Sequence, residues 1–299
     1  MSRSQATLTT LIGALCLALA GSAGAQMVSP MHIIPVIAKA QGEAGTDWQS
    51  DLAVSNVSAV AVTVRAAFFR EATNNQFLYD FPVNVNVQPG ETLMVADVLG
   101  TWFPSQGNNT KGVLFLLGEP AGGGSEDEVL LAVSSRTYNN ADPNATYGQT
   151  VGSGLFNLVF GQGTSVLPGV RHDDRFRSNV GVVNLSPLAA TLLVTTYDTT
   201  GAQRAQVTKT VESFSLRQWS LDSLGVSSLG GGRVEVEIDP ATITWDPCDP
   251  QYVPGLAPGL FLAYLSKVDQ ATGDAEFGLG QVDWTGYAEE CGEVPDDCP

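Results

Sequence analysis

The sequence predicts an all-β chain, two tandem antiparallel β-sandwich domains behind a cleaved export signal. Three observations predict it. Apolar residues recur with a period of two, turn residues punctuate the alternating runs, and a stretch of the first half returns in the second without a gap. Val62, Val64, Ala66 and Phe68 alternate with Thr63, Arg65, Ala67 and Phe69. Val83, Val85 and Val87 alternate with polar residues, as do Val234, Val236 and Ile238. A strand with one wet face needs this pattern, because successive side chains point to opposite sides of a sheet.

The N-terminus reads as a signal peptide. Arg3 supplies the positive charge, Leu8 to Ala20 is mostly apolar, and Ala23-Gly24-Ala25 fits a small-residue cleavage site. The apolar run is too short to span a bilayer comfortably. No later apolar span follows, so the mature chain is expected to have no membrane span and to be secreted, periplasmic or held at the cell surface by non-covalent contacts.

The turns come next. Asn74-Asn75, Pro89-Gly90, Gly122-Gly123-Gly124, Thr200-Gly201 and Gly230-Gly231-Gly232 separate the apolar runs. About seven strands fall in each half, near the usual number for an immunoglobulin-like sandwich. ADVLG and LDSLG each predict one short turn of helix.

The repeat sets the domain organisation. Ser50 to Arg70 (SDLAVSNVSAVAVTVRAAFFR) aligns with Ser178 to Asp198 (SNVGVVNLSPLAATLLVTTYD). The identical pairs are Ser50/Ser178, Val54/Val182, Asn56/Asn184, Ser58/Ser186, Ala61/Ala189 and Thr63/Thr191. Trp48 and Phe176 hold the same place upstream, and Ile34-Pro35 resembles Leu167-Pro168. Downstream, VADVLGTWF parallels WSLDSLGVS, which sets Trp219 against Val95. The expected boundaries are a signal peptide at 1–25, a first sandwich at 26–151, a linker at 152–166, a second sandwich at 167–284, and an acidic, Cys-containing tail at 285–299.

These motifs, with SRTYNN before TYGQ and DQATGD before FGLGQ, resemble a group of uncharacterised bacterial exported proteins with tandem immunoglobulin-like β-sandwich repeats. The resemblance runs over roughly 34–282. It implies a fold and an exported location, and it brings no catalytic residues. The Cys-containing insertion from Pro240 to Pro258 and the tail after Trp284 depart from the repeat.

Charge excludes several functions. The net charge is −17, and only four Lys occur, Lys39, Lys111, Lys209 and Lys267. Nucleic acids and anionic membranes both need clustered cations, so neither is an expected partner. The two His, His32 and His172, cannot build a multi-His metal site. No GxSxG context accompanies His172 and Asp173, and His172 reads as a solvated linker residue. Paired acids such as Glu126-Asp127-Glu128 read as a solvated loop in so acidic a chain. The chain is therefore expected not to be an enzyme and to need no cofactor.

Three features carry the remaining site expectations. Cys248, Cys291 and Cys298 remain after signal removal, enough for one disulfide with three pairings open. Asp269, Asp274 and Glu276, in the Gly-containing DQATGDAEF, could offer oxygens to Ca2+, although the loop lacks the EF-hand pattern. The competing reading is a hairpin turn in which Asp269 and Asp274 bond the backbone. Trp245, Tyr252, Trp284 and Tyr287, in the segments that break the repeat, could present flat aromatic faces to a sugar, or pack on one another. The expected function is a non-enzymatic structural or adhesive protein of the cell envelope or matrix. Its partner would be an envelope or extracellular polymer, a protein, or itself. The alternative is a carbohydrate-binding module, with or without a need for calcium.

Overall fold

The computed structural model describes residues 28–42, 45–76, 81–142, 144, 146–159, 163–239 and 260–282. Within them the chain is all-β and its named strands pair antiparallel. The first half holds β1 (Met31–Gln41), β2 (Asp47–Asn56), β3 (Val62–Arg70), β4 (Val83–Val87), β5 (Thr92–Val95), β6 (Thr110–Pro120), β7 (Leu131–Asn139) and β8 (Tyr147–Gly152). Its strands run β4-β3-β6-β1-β2-β7-β8, with β5 also on β2. A single helical turn, α1 (Val98–Trp102), follows β5 where ADVLG predicted one. Asp97 caps it, accepting from the Gly100 N–H at 3.0 Å.

β1 is the hinge of this sheet. It pairs with β6 along most of its length and with β2 only over Lys39–Gln41. Its register shifts between Ile34 and Ile37, and Pro35 lies in that gap. Proline has no N–H to give a ladder, so a bulge is where a strand tolerates it. Side chains of β3 and β6 share one apolar core with those of β2 and β7, so the strand path folds back on itself as a sandwich.

The rest of the chain repeats the plan. It holds β9 (Leu158–Val159), β10 (Thr164–His172), β11 (Phe176–Asn184), β12 (Ala190–Asp198), β13 (Gln203–Val211), β14 (Ser215–Ser220), β15 (Leu229–Ile238), β16 (Phe261–Asp269), β17 (Ala275–Leu279) and β18 (Gln281–Val282). One sheet runs β13-β12-β15-β10-β18 and the other β14-β11-β16-β17, with β9 on β16. Read in order, β10 to β17 take the places of β1 to β8. Pro168 pairs with Arg233 and borders a register shift of β10 at Gly169, close to the place that Pro35 holds in β1. Val95 lies opposite Leu52 and Trp219 opposite Val180, so Trp219 occupies the place of Val95. LDSLG closes a 3-10 turn at Asp222–Leu224.

The Asn and Ser pairs that the repeat holds in common make equivalent contacts. Asn56 is buried at the end of β2 and donates to the carbonyls of Val60 (2.8 Å) and Val87 (2.9 Å), while its Oδ1 accepts from the Ser58 N–H. Asn184 donates to Leu188 (2.7 Å) and Val211 (3.2 Å) and accepts from the Ser186 N–H. Each Asn satisfies backbone groups that the turn after its strand would otherwise leave buried and unpaired. Ser50 and Ser178, both fully buried, tie their strands to the preceding one through Ala38 and Arg171.

One expectation needs correction. Among the described residues eight strand equivalents form in each half rather than about seven, and two-residue strands add to the second. Part of the segment at 152–166 is described. Leu155 and Leu158 are buried, β9 pairs with β16, and Thr164 already belongs to β10.

Candidate functional site

The outer face of the β14-β11-β16-β17 sheet meets the first half. Period-two alternation decides what it presents. Along β11 the facing residues are Arg177, Asn179, Gly181 and Val183. Their neighbours on β16 are Val268, Ser266, Tyr264 and Leu262, and β14 sets Gln218 beside Gly181 and Leu216 beside Val183. The face is therefore apolar at one end and polar at the other.

The apolar end is buried. Val183, Leu185, Leu216, Leu260, Leu262 and Tyr264 belong to the same apolar cluster as Ile34, Val36 and Phe69. Phe69 and Phe214 pack at 5.7 Å between ring centres. The turn after β3 clips onto the segment before β14. Asn75, 2% exposed, donates from its backbone to Ser213 (3.0 Å) and from its amide to Phe214 (2.8 Å) and Arg70 (3.0 Å). Ser215 Oγ donates to the Arg70 carbonyl at 3.1 Å. A large apolar contact of this kind opposes relative motion of the segments it joins.

The polar end opens into a cleft of about 510 Å3. Among the described residues, Arg70, Lys111 and Arg177 line it with one carboxylate, Glu71, which Lys111 holds at 3.2 Å. Two amides are fixed there. Gln149 Oε1 accepts from Ser266 Oγ at 3.1 Å, a bond that crosses between the halves, and Gln218 Oε1 accepts from the Tyr264 hydroxyl at 3.2 Å. Burial pushes the Tyr264 phenol far above the usual tyrosine range, so this hydroxyl remains a donor. The Tyr264 ring lies across Gly181, where an added Cβ would come within 2.0 Å of it, and stacks on Phe277 at 5.1 Å. Trp48 forms part of the wall and meets Tyr147 edge to face at 6.1 Å.

The acidic residues read from the sequence do not converge. Asp269 is buried at the end of β16 and takes a fork from Arg175, at 2.9 Å from Nε and 2.7 Å from Nη2. Its other oxygen accepts from the Ala271 N–H, and the Arg175 guanidinium holds its carboxyl below the usual carboxylate range. Glu276 pairs with Lys267 across the hairpin at 2.8 Å, and Asp274 is exposed. Asn139 occupies the equivalent place in the first half and caps the turn after β7 in the same way, accepting from Ala141 and from Asp47. The hairpin-turn reading accounts for the Asp269 contact with Ala271, whereas Asp274 takes part through its backbone carbonyl, which accepts from the Asp269 N–H at 2.8 Å. Among the described residues no three His, Cys, Asp or Glu are placed to hold a metal ion.

Trp245, Tyr252, Trp284 and Tyr287, and Cys248, Cys291 and Cys298, lie outside the described residues. His172 is corrected by the structure. It is a buried residue of β10 that meets Asp222 Oδ2 at 3.1 Å, not a solvated linker His. His32, also buried, contacts the carbonyls of Ser29 (3.0 Å) and Leu131 (2.9 Å), and burial lowers its pKa. Sequence reasoning misses the cleft residues because a row of Arg, Asn, Gly and Val at period two reads as any strand face. Only the arrangement of the halves makes it a wall.

No family model and no curated protein matches the chain. Among solved structures it is similar to the Thermotoga maritima protein 1070, at 11% identity over 41% of this chain and 96% of that one, with a TM-score of 0.31. It is also similar to a Bacteroides uniformis beta-glucuronidase, at 11% identity over 83% of this chain and a TM-score of 0.18. The chain spans only 25% of that enzyme's length. Likeness at these scores identifies neither an activity nor a ligand.

Proposed function

We propose that the chain is an exported, non-enzymatic structural or interaction protein. Two tandem immunoglobulin-like sandwich domains are joined in it as one rigid spacer. The observation that carries this reading is the junction, where a duplicated strand order is locked by an apolar core shared between the halves and by the Asn75 clip. A duplicated module held rigid suits spacing and presentation. An enzyme that closes around a substrate would instead need a hinge there.

Export is supported by the charge, apolar run and small-residue site at the N-terminus. The partner in this reading is an envelope or extracellular polymer, a protein, or a second copy. Fractionation of bacteria expressing the full chain, with N-terminal sequencing, tests the first half of the proposal. It predicts protein outside the inner membrane beginning at Gln26. Full-length protein retained in the cytoplasm would overturn export. A hydrolase activity abolished by one carboxylate substitution would overturn the non-enzymatic role.

A further inference from the structure

We propose that the cleft at the junction binds an acidic saccharide, a hydroxylated ring that carries a carboxylate. This goes beyond the spacer role and stands on the cleft alone, whatever the fate of export or assembly. Charge points there first. A chain of net charge −17 places Arg70, Lys111 and Arg177 along one cleft, where Glu71 is the carboxylate among the described lining residues. A concave site whose sign is opposite to that of the whole protein concentrates ligands of the other sign. Glu71 is taken by Lys111, whereas Arg70 is exposed and its guanidinium has no partner among the described residues. A planar guanidinium fork matches a carboxylate with two parallel bonds.

The polarity of the amides points the same way. Tyr264 and Ser266 occupy the oxygens of Gln218 and Gln149, which turns both NH2 groups into the available donors. The cleft is thereby rich in donors for the acceptor oxygens of a hydroxylated anion. The Trp48 indole in the wall adds a surface of the kind on which sugar rings stack. The volume of about 510 Å3 lies within the range of small-molecule sites. A bare inorganic anion would need neither the indole nor two oriented amides, and a neutral sugar would have no use for the cations.

Calorimetric titration of the mature chain tests this, with a galacturonate trisaccharide, its neutral galactose counterpart and inorganic phosphate as probes. The acidic sugar should bind, and more weakly as salt is raised. The neutral sugar and phosphate should each bind at least roughly tenfold more weakly. Arg70→Gln should weaken the acidic sugar by roughly tenfold or more, since hydrogen bonds to charged groups are the strong ones. Arg204→Gln, on the exposed β13 strand, should leave binding unchanged. Equal binding of acidic and neutral sugars, phosphate binding as well as the sugar, no binding of the acidic sugar, or an unaffected and folded Arg70→Gln would each overturn the proposal. Should Arg70→Gln fail to fold, selectivity and salt dependence of the unaltered protein decide by themselves.

Discussion

Asn184 offers the sharpest test of how the sequence encodes the fold. It is fully buried and makes five hydrogen bonds. Its Nδ2 donates to the carbonyls of Leu188 (2.7 Å), Glu212 (3.0 Å) and Val211 (3.2 Å), and its Oδ1 accepts from the N–H and Oγ of Ser186 (2.9 and 2.8 Å). A typical net bond contributes about 0.5–1.5 kcal/mol, and a buried group left unpaired costs about 1–3 kcal/mol. Asn184→Ala should therefore destabilise the protein by about 3–5 kcal/mol, near the upper end for single substitutions. At about 2–4 °C per kcal/mol, that lowers the Tm by on the order of 10 °C. Asn184→Asp is the stricter variant because size is unchanged. It keeps both Ser186 bonds but aims a carboxylate oxygen at three carbonyls, so at neutral pH it should cost at least as much as Ala. Urea unfolding with matched m-values measures both. If Asn184→Asp lies within about 1 kcal/mol of the unaltered protein, this account of the turn is wrong.

Three further predictions follow from the same contacts. Gly181→Ala should cost about 1–3 kcal/mol, because the new methyl displaces the Tyr264 ring; if Gly181→Ala costs nothing, the ring does not lie across the strand. His32 is held neutral by burial, so its folded pKa lies below the ordinary 6.5. Its share of stability is complete above that value and is lost as pH falls toward the folded pKa, because only the unfolded chain takes up the proton there. Denaturant titrations between neutral and acid pH should show that slope, and His32→Gln should remove it. Asn75→Ala should loosen the junction and raise amide exchange in β14 while leaving β12 and β13 protected; unchanged exchange in β14 would show that the clip carries no weight.

Much of this fold is legible in the amino-acid sequence. Strand alternation places the ladders, and the pair Asn56/Asn184 marks the turn that both halves use. The Pro35/Pro168 correspondence marks a register shift in each half, with Pro35 inside the gap of β1 and Gly169, next to Pro168, inside the gap of β10. The alignment of Trp219 with Val95 needs a gap, yet the ladders set them in equivalent places. What stays hidden in the sequence arises from packing between distant segments. Nothing near Asn75 announces that its amide will reach Phe214. The polar row of β11 becomes a cleft wall only because Val183 and Leu216 dock beyond it. His172 misleads for a related reason: it follows Gly169 and precedes two Asp, which looks like a loop, but its register with Leu229 keeps it in β10.

The central claim is that the two halves form one body. Scanning calorimetry of residues 26–299, beside Asn56→Ala and Asn184→Ala, tests it most directly. One body should unfold in a single transition with matching calorimetric and van't Hoff enthalpies, which either substitution shifts as a whole. Two transitions, each moved by only one of the substitutions, would contradict it.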